Sequence, residues 1–330
     1  MRVVRSRSEL AQAIPGARSE ARLAFGDGRL FVEKYIWNPR HVEVQVIADQ
    51  HGKAIHLGER ECSIQRRHQK IIEESPSTAV DSKLRALLTE AALKLTRKSG
   101  YTNAGTVEFI LDEKGNFYLL EVNTRLQVEH PVTEMRVGFD IVWEQIRIAG
   151  GLPLALKQEE VAFRGHAIEA RVYAEDPENE FYPSSGLIAS LKPPTGLGIR
   201  EERGVEEGST ISTYYDPMLS KLVVWGGTRA DAIKRLVWAL ENYEIFGIKT
   251  NIGLCLWILN HPDFRLGRYN TNFLAAHFSR GVLTPPREML LDAAISTVLR
   301  EQLSANAGRN DEPEPAPGRW RKKLLDHMRE

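Results

Sequence analysis

The chain has 330 residues, of which 42% are hydrophobic and 27% are charged, so it is long enough for two domains with buried cores and a hydrated surface. Its 44 basic and 44 acidic residues cancel, which excludes an overall field for nucleic acid or for an anionic membrane. No apolar run approaches the ~20 residues of a membrane span. Two distant cysteines, Cys62 and Cys255, fit reduced structural thiols better than a disulfide framework.

The first hundred residues predict two helices separated by short strands. We interpret residues 1–7 as a strand end that leads into a helix with Ser8 as its N-cap, rather than as a transit peptide, because Glu9 follows at once. The short apolar run 30–35 predicts a buried strand, and residues 42–48 alternate like a second strand. The pattern then predicts a turn at 49–53, a strand at 54–57 and a helix at 80–99 that Gly100 ends.

The remainder of the chain predicts an α+β protein with a domain boundary near residue 160. The elements expected there are a helix at 141–149, a new antiparallel sheet at 165–174, a helix at 228–244, a turn at 247–251 and a helix that ends at 259. We see no internal repeat. The basic run at 65–70 is, taken alone, typical of a solvated loop.

A hairpin in the middle of the chain carries the most informative polar pattern. Residues 105–111 predict one strand, and the turn 112–116 joins it to a second strand that starts at Glu121. If residues 121–130 are extended, their side chains alternate between two faces. One face then carries Glu121, Asn123, Arg125, Gln127 and Glu129, and the other, apolar face carries Val122, Leu126 and Val128.

The residue types on the polar face suit metal and oxyanion chemistry. Glu108, Glu121 and Asn123 offer three oxygen ligands to a hard cation such as Mg²⁺. Arg125 offers a planar fork to a carboxylate or a carbonate-like oxyanion. Gln127 adds hydrogen-bond donors, and Glu129 is placed to act as a general base. The alternative is an ordinary half-exposed strand with a polar solvent face, which the alternation alone fits equally well.

Six segments, in order along the chain, resemble the biotin carboxylase component of biotin-dependent carboxylases, a member of the ATP-grasp superfamily. They are EKYI at 33–36, PRHVEVQV at 39–46, ECSIQRRHQK at 61–70, NTRLQVEH at 123–130, GHAIEAR at 165–171 and YYDPM at 214–218. The resemblance runs from residue 1 to about residue 278 and is greatest to the α-subunits of acyl-CoA carboxylases. It implies the C-terminal lobe of an ATP-grasp domain at 1–160, a biotin carboxylase C-terminal domain at 161–280 and a tail at 281–330.

The resemblance implies an ATP site and a bicarbonate site on residues of this chain. The residues expected to bind nucleotide are Glu33, Lys34, the Ile36 backbone, His41, Gln65, His68, Glu108, Ile110 and Glu121. Bicarbonate is expected to be held by Lys70, Arg125, Gln127 and the Val128 backbone. Glu108, Glu121 and Asn123 are expected to bind Mg²⁺ or Mn²⁺, with two ions in the site.

The implied reaction makes carboxyphosphate from ATP and bicarbonate and then carboxylates biotin. Glu129 is expected to take the bicarbonate proton, Arg171 to stabilise the biotin enolate and Arg125 to orient the carboxyl group. The alternative for Arg171 is a structural ion pair with Glu169 or Glu175.

Two departures limit what the resemblance implies. The chain has no glycine-rich phosphate loop, so we expect it to begin inside the central domain of the family and to have little or no activity alone. A helix at 287–303 and a proline-rich linker at 306–318 are predicted in the tail, and Trp320 with the basic residues after it predicts a docking segment. A Met-Lys-Met biotinylation motif is absent, so biotin is expected on a separate carrier.

The expected function is that of a ligase that feeds an acetyl-, propionyl- or methylcrotonyl-CoA carboxylase. The alternatives are a non-catalytic fragment that keeps the fold and an assembly surface, or the carboxylase part of a pyruvate or urea carboxylase. The expected partners are a biotin carboxyl carrier protein or domain, a carboxyltransferase subunit and a second copy of the chain, with no nucleic acid and no membrane. The expected location is the bacterial cytoplasm, or the mitochondrial matrix in a eukaryote.

Overall fold

The described part of the chain contains an antiparallel sheet of eight strands. The computed structural model describes residues 2–283 and residue 295, so the helix predicted at 287–303, the linker at 306–318 and the docking segment at Trp320 lie outside the described residues. In spatial order the strands are β11 (Ile199–Arg203), β13 (Met218–Gly226), β6 (His166–Tyr173), β3 (Gln69–Ser75), β2 (Ala54–Arg66), β1 (Arg40–Ala48), β4 (Asn103–Leu111) and β5 (Phe117–Asn123).

Short ribbons and helices complete the described part of the chain. The ribbons pair β7 (Glu175–Asp176) with β8 (Tyr182–Pro183), β9 (Gly186–Leu187) with β12 (Thr210–Ile211), and β10 (Ser190–Lys192) with β14 (Glu244–Phe246). The helices are α1 (Arg7–Phe25), α2 (Ser82–Ser99), α3 (His130–Val137), α4 (Ile141–Ala149), α5 (Arg229–Glu241), α6 (Ile252–Asn260), α7 (Pro262–Arg265) and α8 (Phe273–His277), with a 3₁₀ turn at Gln158–Glu160. Every helix in this part of the chain is too short or too polar to cross a lipid bilayer.

The alternation in β1 separates an apolar core from a polar site. Val42, Val44 and Val46 lie on one face of the sheet and belong to a buried cluster with Leu88 and Ala92 of α2. The residues between them face the other side, where α3 and α4 pack. That side contains a second apolar cluster around Ile47 and α4, and it buries the charged and polar side chains of the candidate site. The period of two therefore places the site directly behind the core.

Several predicted elements are confirmed. The helices predicted at 80–99, 141–149 and 228–244 are α2, α4 and α5, and α2 ends at the expected Gly100. Asp81 caps α2, Gly100 ends it at φ 64°, and Thr228 caps α5. The strand predicted at 42–48 lies within β1. The mixed architecture of an antiparallel sheet with flanking helices agrees with the α+β prediction.

Two predictions near the N-terminus were wrong. The run 30–35 forms no strand, and Phe31 and Val32 are 83% and 75% exposed, because no strand within residues 2–283 pairs with this segment. The N-cap of α1 is Ser6, whose Oγ accepts from the Glu9 backbone N–H, and Ser8 lies inside the helix. α1 itself has no buried residue.

The second strand of the central hairpin is shorter than predicted. β5 ends at Asn123, and residues 124–129 form a turn that leads into α3. β5 is also the last strand of the sheet, so Val122 is 41% exposed instead of buried. The side chains of Arg125, Gln127 and Glu129 therefore do not share a face through strand alternation.

The sheet is more continuous than predicted. The strand expected to open a new sheet, β6, pairs with β3 through Ile72↔Ala170 and Glu73↔Glu169, because the outer edge of β3 is free to accept it. The domain boundary near residue 160 stays a prediction. The basic run at 65–70 is a tight hairpin between β2 and β3, with Arg67 and His68 at φ 48° and 69°.

Leu88 tests the core between α2 and the sheet. Its side chain is fully buried, whereas its neighbour Leu87 is 46% exposed. We expect Leu88→Ala to lower the free energy of unfolding by about 2–5 kcal/mol, because it leaves a cavity in the apolar cluster. Leu87→Ala should change it by about 0.5 kcal/mol or less. Urea unfolding measures both, and equal effects would contradict this packing.

Candidate active site

Three glutamates line up across the end of the sheet. In the pairing of β1 with β4 and of β4 with β5, Glu43 lies opposite Glu108, and Glu108 lies opposite Glu121. Carboxylates in directly opposed positions repel one another unless cations lie between them. The surrounding side chains show how this repulsion is relieved.

Lys70 of β3 supplies one of the compensating charges. Its Nζ lies 2.7 Å from Glu43 Oε2, 2.5 Å from Glu129 Oε1 and 3.6 Å from Glu108 Oε1. Burial disfavours the ammonium form, but the surrounding carboxylates outweigh burial and raise the pKa of Lys70. Burial alone would also raise the pKa of Glu43, yet Lys70 and Arg60 lower it to about 2. The amine and the carboxylate are therefore both charged at neutral pH.

Glu129 lies between two cations from neighbouring strands. Its Oε1 accepts from Lys70 Nζ at 2.5 Å, and its Oε2 accepts from Arg171 Nη2 at 2.8 Å. Glu129 is 2% exposed and directly precedes α3, which begins at His130. Because the loop after β5 turns into this helix, a residue outside the sheet reaches the row of charges on the sheet.

Arg171 of β6 has two carboxylate partners. Its Nε donates to Glu73 Oε1 at 2.5 Å, in addition to the bond from its Nη2 to Glu129. The alternative ion pair with Glu169 or Glu175 was wrong. The carboxylate of Glu175 lies 3.5 Å from Arg66, and neither oxygen of Glu169 has a hydrogen-bond partner among the described residues.

The predicted metal ligands lie together at the edge of the sheet. Asn123 Nδ2 lies 2.7 Å from Glu108 Oε1 and 3.1 Å from Glu121 Oε1, so one amide group contacts both carboxylates. His41 Nε2 lies 2.5 Å from the other oxygen of Glu108. Burial would raise the pKa of Glu108, but the His41 hydrogen bond and Lys70 lower it to about 2. The two carboxylates offer oxygen ligands of the kind that Mg²⁺ takes, whereas Asn123 directs its NH₂ group at them and would have to turn its amide to offer an oxygen.

Arg60 is a buried residue that sequence reasoning missed. Its side chain is 0% exposed and contacts five polar groups: Glu43 and Gln45 on β1, Thr106 on β4, Gln127 in the loop after β5 and Thr133 on α3. Gln127 in turn donates to Glu108 at 2.5 Å. Arg60 therefore connects the row formed by Glu43, Glu108 and Glu121, which we call the acid row, to the loop after β5. Arg60 lies between two other charged residues of β2, Glu59 and Glu61, so the pattern of apolar and polar residues gave no reason to single it out.

Other predicted residues lie on exposed segments around this buried group. Lys34 Nζ donates to Tyr118 Oη at 2.7 Å, and Glu33 is exposed. His68 is exposed at the tip of the β2–β3 hairpin. The exposed Arg125 donates to the Leu126 carbonyl at 3.3 Å.

Four other predicted residues lie at intermediate depth. Gln65 pairs with Lys70 on the adjacent strand, and Ile110 pairs with His41. The Val128 carbonyl oxygen accepts from Lys221 Nζ at 3.1 Å. Ile36 is half-buried. The structure thus brings together His41, Lys70, Glu108, Asn123, Gln127, Glu129 and Arg171, while the functional roles of all these residues stay predictions.

Two family descriptions match this chain. Residues 1–157 match "Carbamoyl-phosphate synthase L chain, ATP binding domain", and residues 169–276 match "Biotin carboxylase C-terminal domain". The α-subunit of mitochondrial methylcrotonoyl-CoA carboxylase from Rattus norvegicus is 46% identical over 311 residues, which is 93% of this chain and 44% of that protein. Biotin carboxylase 2 of Bacillus subtilis is 49% identical over 277 residues, 84% of this chain and 62% of that protein.

A solved structure shares the fold. The biotin carboxylase domain of Hydrogenobacter thermophilus 2-oxoglutarate carboxylase, a dimer in complex with MgADP, ADP and bicarbonate, matches with a TM-score of 0.79 and 48% identity. The match covers 84% of this chain and 61% of that chain. This chain therefore spans about half the length of the curated relatives that it matches.

The buried position of Arg60 leads to a stability prediction. Arg60→Met removes a fully buried cation and leaves Glu43 with Lys70 alone, so we expect the free energy of unfolding to fall by about 3–5 kcal/mol. The control is Lys192→Met, which breaks an ion pair with Glu244 at 68% and 46% side-chain exposure and should cost far less, because exposed ion pairs contribute little. Equal losses in urea unfolding would contradict the difference in burial.

The depressed pKa of Glu43 predicts a loss of stability in acid. A carboxyl group with a pKa of about 2 in the folded state and a higher unfolded value stabilises the fold above the unfolded pKa and loses that contribution as pH falls. We expect about 3 kcal/mol to be lost between pH ~5 and pH ~2. Glu43→Gln should flatten this part of the curve of unfolding free energy against pH, and an unchanged slope would contradict the assignment.

Proposed function

This chain belongs to the biotin carboxylase family, and on that premise we propose that it supplies the metal, bicarbonate and biotin side of an ATP-dependent biotin carboxylation site. The observation that supports the proposal most directly is the position of Glu129 between Lys70 and Arg171. A buried carboxylate that touches two cations can take a proton in a place where a small anion is also attracted.

The first chemical step uses Glu129 as the base. Bicarbonate enters beside Lys70, whose ammonium group attracts the anion, and Glu129 takes the proton of its hydroxyl group. The freed oxygen attacks the γ-phosphorus of ATP, the bond to the β-phosphate oxygen breaks, and ADP leaves. Gln127, the Val128 backbone and Arg125 complete the bicarbonate site, with Arg125 turning inward from its exposed position.

The acid row accounts for the ion requirement of phosphoryl transfer. Glu108, Glu121 and Asn123 would hold Mg²⁺ or Mn²⁺, and two ions suit the four surrounding oxygens of the two carboxylates. When bound, such ions neutralise charge on the transferring phosphoryl group. His41 keeps Glu108 ionised and oriented through the contact at 2.5 Å.

Arg171 serves the second half of the reaction. Carboxyphosphate breaks down to CO₂ and phosphate, the phosphate takes the proton from the ureido nitrogen of biotin, and that nitrogen forms a bond with CO₂. The guanidinium group of Arg171 stabilises the negative oxygen that develops on the ureido ring. Its two carboxylate partners fix the direction in which it points.

The exposed segments around the site serve the nucleotide. Glu33, Lys34 and the Ile36 backbone bind the adenine edge. Gln65 and His68, on the β2–β3 hairpin, contact the ribose and phosphates from above the acid row. Ile110 belongs to the wall of this site, since it pairs with His41 on the neighbouring strand.

The acyl acceptor we propose is an acyl-CoA of the methylcrotonoyl type. Similarity to the rat methylcrotonoyl-CoA carboxylase subunit covers 93% of this chain, whereas similarity to a separate biotin carboxylase covers 84%. The longer match includes part of the segment after residue 278. The partners that follow are a biotin carrier, a carboxyltransferase and a second copy of the chain.

The proposal predicts that one substitution removes turnover without unfolding the protein. Glu129→Gln keeps the shape of the side chain but cannot take a proton, so we expect the bicarbonate-dependent rate of ATP hydrolysis with biotin to fall by about 10²–10⁴-fold. The measurement uses the carboxylase that contains this chain, with its carrier and carboxyltransferase.

The matched control is Glu144→Gln. Glu144 is also buried, but it lies in α4 and accepts from the Ala155 backbone N–H at 2.8 Å. This variant should keep the wild-type rate. An unchanged rate in Glu129→Gln would remove Glu129 from the mechanism. A folded wild type with no bicarbonate-dependent turnover would favour the non-catalytic alternative.

A further inference from the structure

Two fully buried glutamates face each other behind Arg171. Glu73 of β3 and Glu169 of β6 are directly opposed in the pairing of these strands, and each is 0% exposed. Directly opposed side chains on neighbouring antiparallel strands have Cβ atoms roughly 4.5–5.5 Å apart. The two carboxyl groups therefore share one closed space in the interior of the sheet.

The hydrogen bonds of this pair are incomplete. Glu73 Oε1 accepts from Arg171 Nε at 2.5 Å, but Glu73 Oε2 and both oxygens of Glu169 have no hydrogen-bond partner among the described residues. A buried ionised carboxylate without a partner is strongly unfavourable, and such a group takes up a proton instead. Three carboxylate oxygens therefore have no donor. A proton shared between the two acids would supply the missing donor.

The surrounding cations are already committed to other acids. Arg171 is paired with Glu73 and Glu129, and Lys70 is paired with Glu43 and Glu129. Lys221 forms an ion pair with Glu202 and donates to the Val128 carbonyl. The other titratable groups that face the pair are Glu129, Tyr173 and Cys255. Among the described residues, Glu169 is therefore left without a cation of its own.

We propose that Glu73 and Glu169 hold one proton between them at neutral pH, and that this neutralised pair positions Arg171 toward Glu129. Glu169 carries the proton and donates it to Glu73 Oε2, while Glu73 stays the carboxylate that accepts from Arg171. Burial and the neighbouring Glu73 raise the pKa of Glu169 well above its usual range, in agreement with this assignment.

The proton determines how strongly Arg171 is attracted to Glu73 relative to Glu129. With one negative charge on the pair, Glu73 and Glu129 each hold one side of the guanidinium group. With two negative charges, the pair attracts Arg171 more strongly and draws it away from Glu129. Glu169 is thus a positioning residue that acts through Arg171. This consequence for the reaction rests on the proposed function, whereas the presence of the proton does not.

Infrared spectroscopy detects the proton directly. A protonated carboxyl group has a C=O stretching band separate from those of carboxylates and amides. We expect wild-type protein at pH 7 to show this band and Glu169→Gln to lack it. Glu144→Gln should keep it, because Glu144 pairs with a backbone N–H and Arg147 instead of another acid. Wild-type protein without a band that depends on Glu169 would overturn the proposal.

Unfolding at several pH values gives a second, independent measurement. An acid whose pKa is raised in the folded state favours the fold below its unfolded pKa and loses this contribution as pH rises toward the folded pKa. From pH ~4.3 upward, we expect the unfolding constant of the wild type, divided by that of Glu169→Gln, to rise about tenfold per pH unit until the pair ionises. A ratio that stays constant would overturn the proposal.

The reaction tests the positioning of Arg171. We expect the biotin-dependent rate of the wild-type carboxylase to fall at alkaline pH as the pair loses its proton. Glu169→Gln, which is neutral at every pH, should lose this alkaline fall and keep the wild-type rate at neutral pH. An unchanged alkaline fall in that variant would refute the positioning role. If the proposed function itself fails, the infrared and unfolding measurements still decide whether the proton is present.

Discussion

The bond of one carboxylate to two cations on neighbouring strands is the contact on which the site depends. Glu129 reaches Lys70 on β3 and Arg171 on β6, so a loop residue joins the part of the sheet before residue 160 to the part after it. Without Glu129, Lys70 and Arg171 would have fewer carboxylates near them to offset the repulsion between their positive charges. The pairing of β3 with β6 and the turn before α3 are both required to build this contact.

A network of buried charges is seldom more stable than a well-packed apolar core in the same place. Replacing a buried ion pair by apolar residues of similar size is often neutral or favourable, because desolvation offsets the attraction. Arg60, Glu43 and Lys70 therefore need another reason to lie inside the sheet. Their arrangement keeps Glu43 and Glu108 ionised and holds Lys70 protonated. In the proposed reaction, this gives a small anion and an ion with its phosphates a fixed electrostatic environment in advance.

The sequence predicted those elements whose signals are local. Helix α4 was expected at its observed bounds, and α2 ends at Gly100 as its left-handed φ requires. The strand predicted at 30–35 rested on apolar composition alone and was wrong, because a strand also needs a neighbouring strand to pair with. The alternating pattern also predicted that the strand continues beyond Asn123, which was wrong, because such a pattern does not show where a strand ends.

The site was predicted in part, for a related reason. The acids and amides of the central hairpin were identified as a group, and the structure brings most of them together. Arg60 and Glu73 were not assigned a role, and Glu169 was named only as an alternative ion-pair partner of Arg171, since the contacts of these residues join β1, β2, β3 and β6, which are distant in sequence. Patterns of period two show which face a residue lies on, but they do not show which residue of another strand it meets.

The edge position of β5 links ion binding to local order. In the described part of the chain, β5 is bonded to one neighbour, β4, and it carries Glu121 and Asn123 together with the exposed Leu119 and Leu120. An end strand opens more readily than an inner strand, so its backbone amides exchange with solvent through local fraying. A cation that bridges Glu121 to Glu108 would tie this strand to β4 and slow that exchange. The metal would then stabilise the edge of the sheet, and occupancy of the site could be followed through the protection of β5 amides from hydrogen exchange.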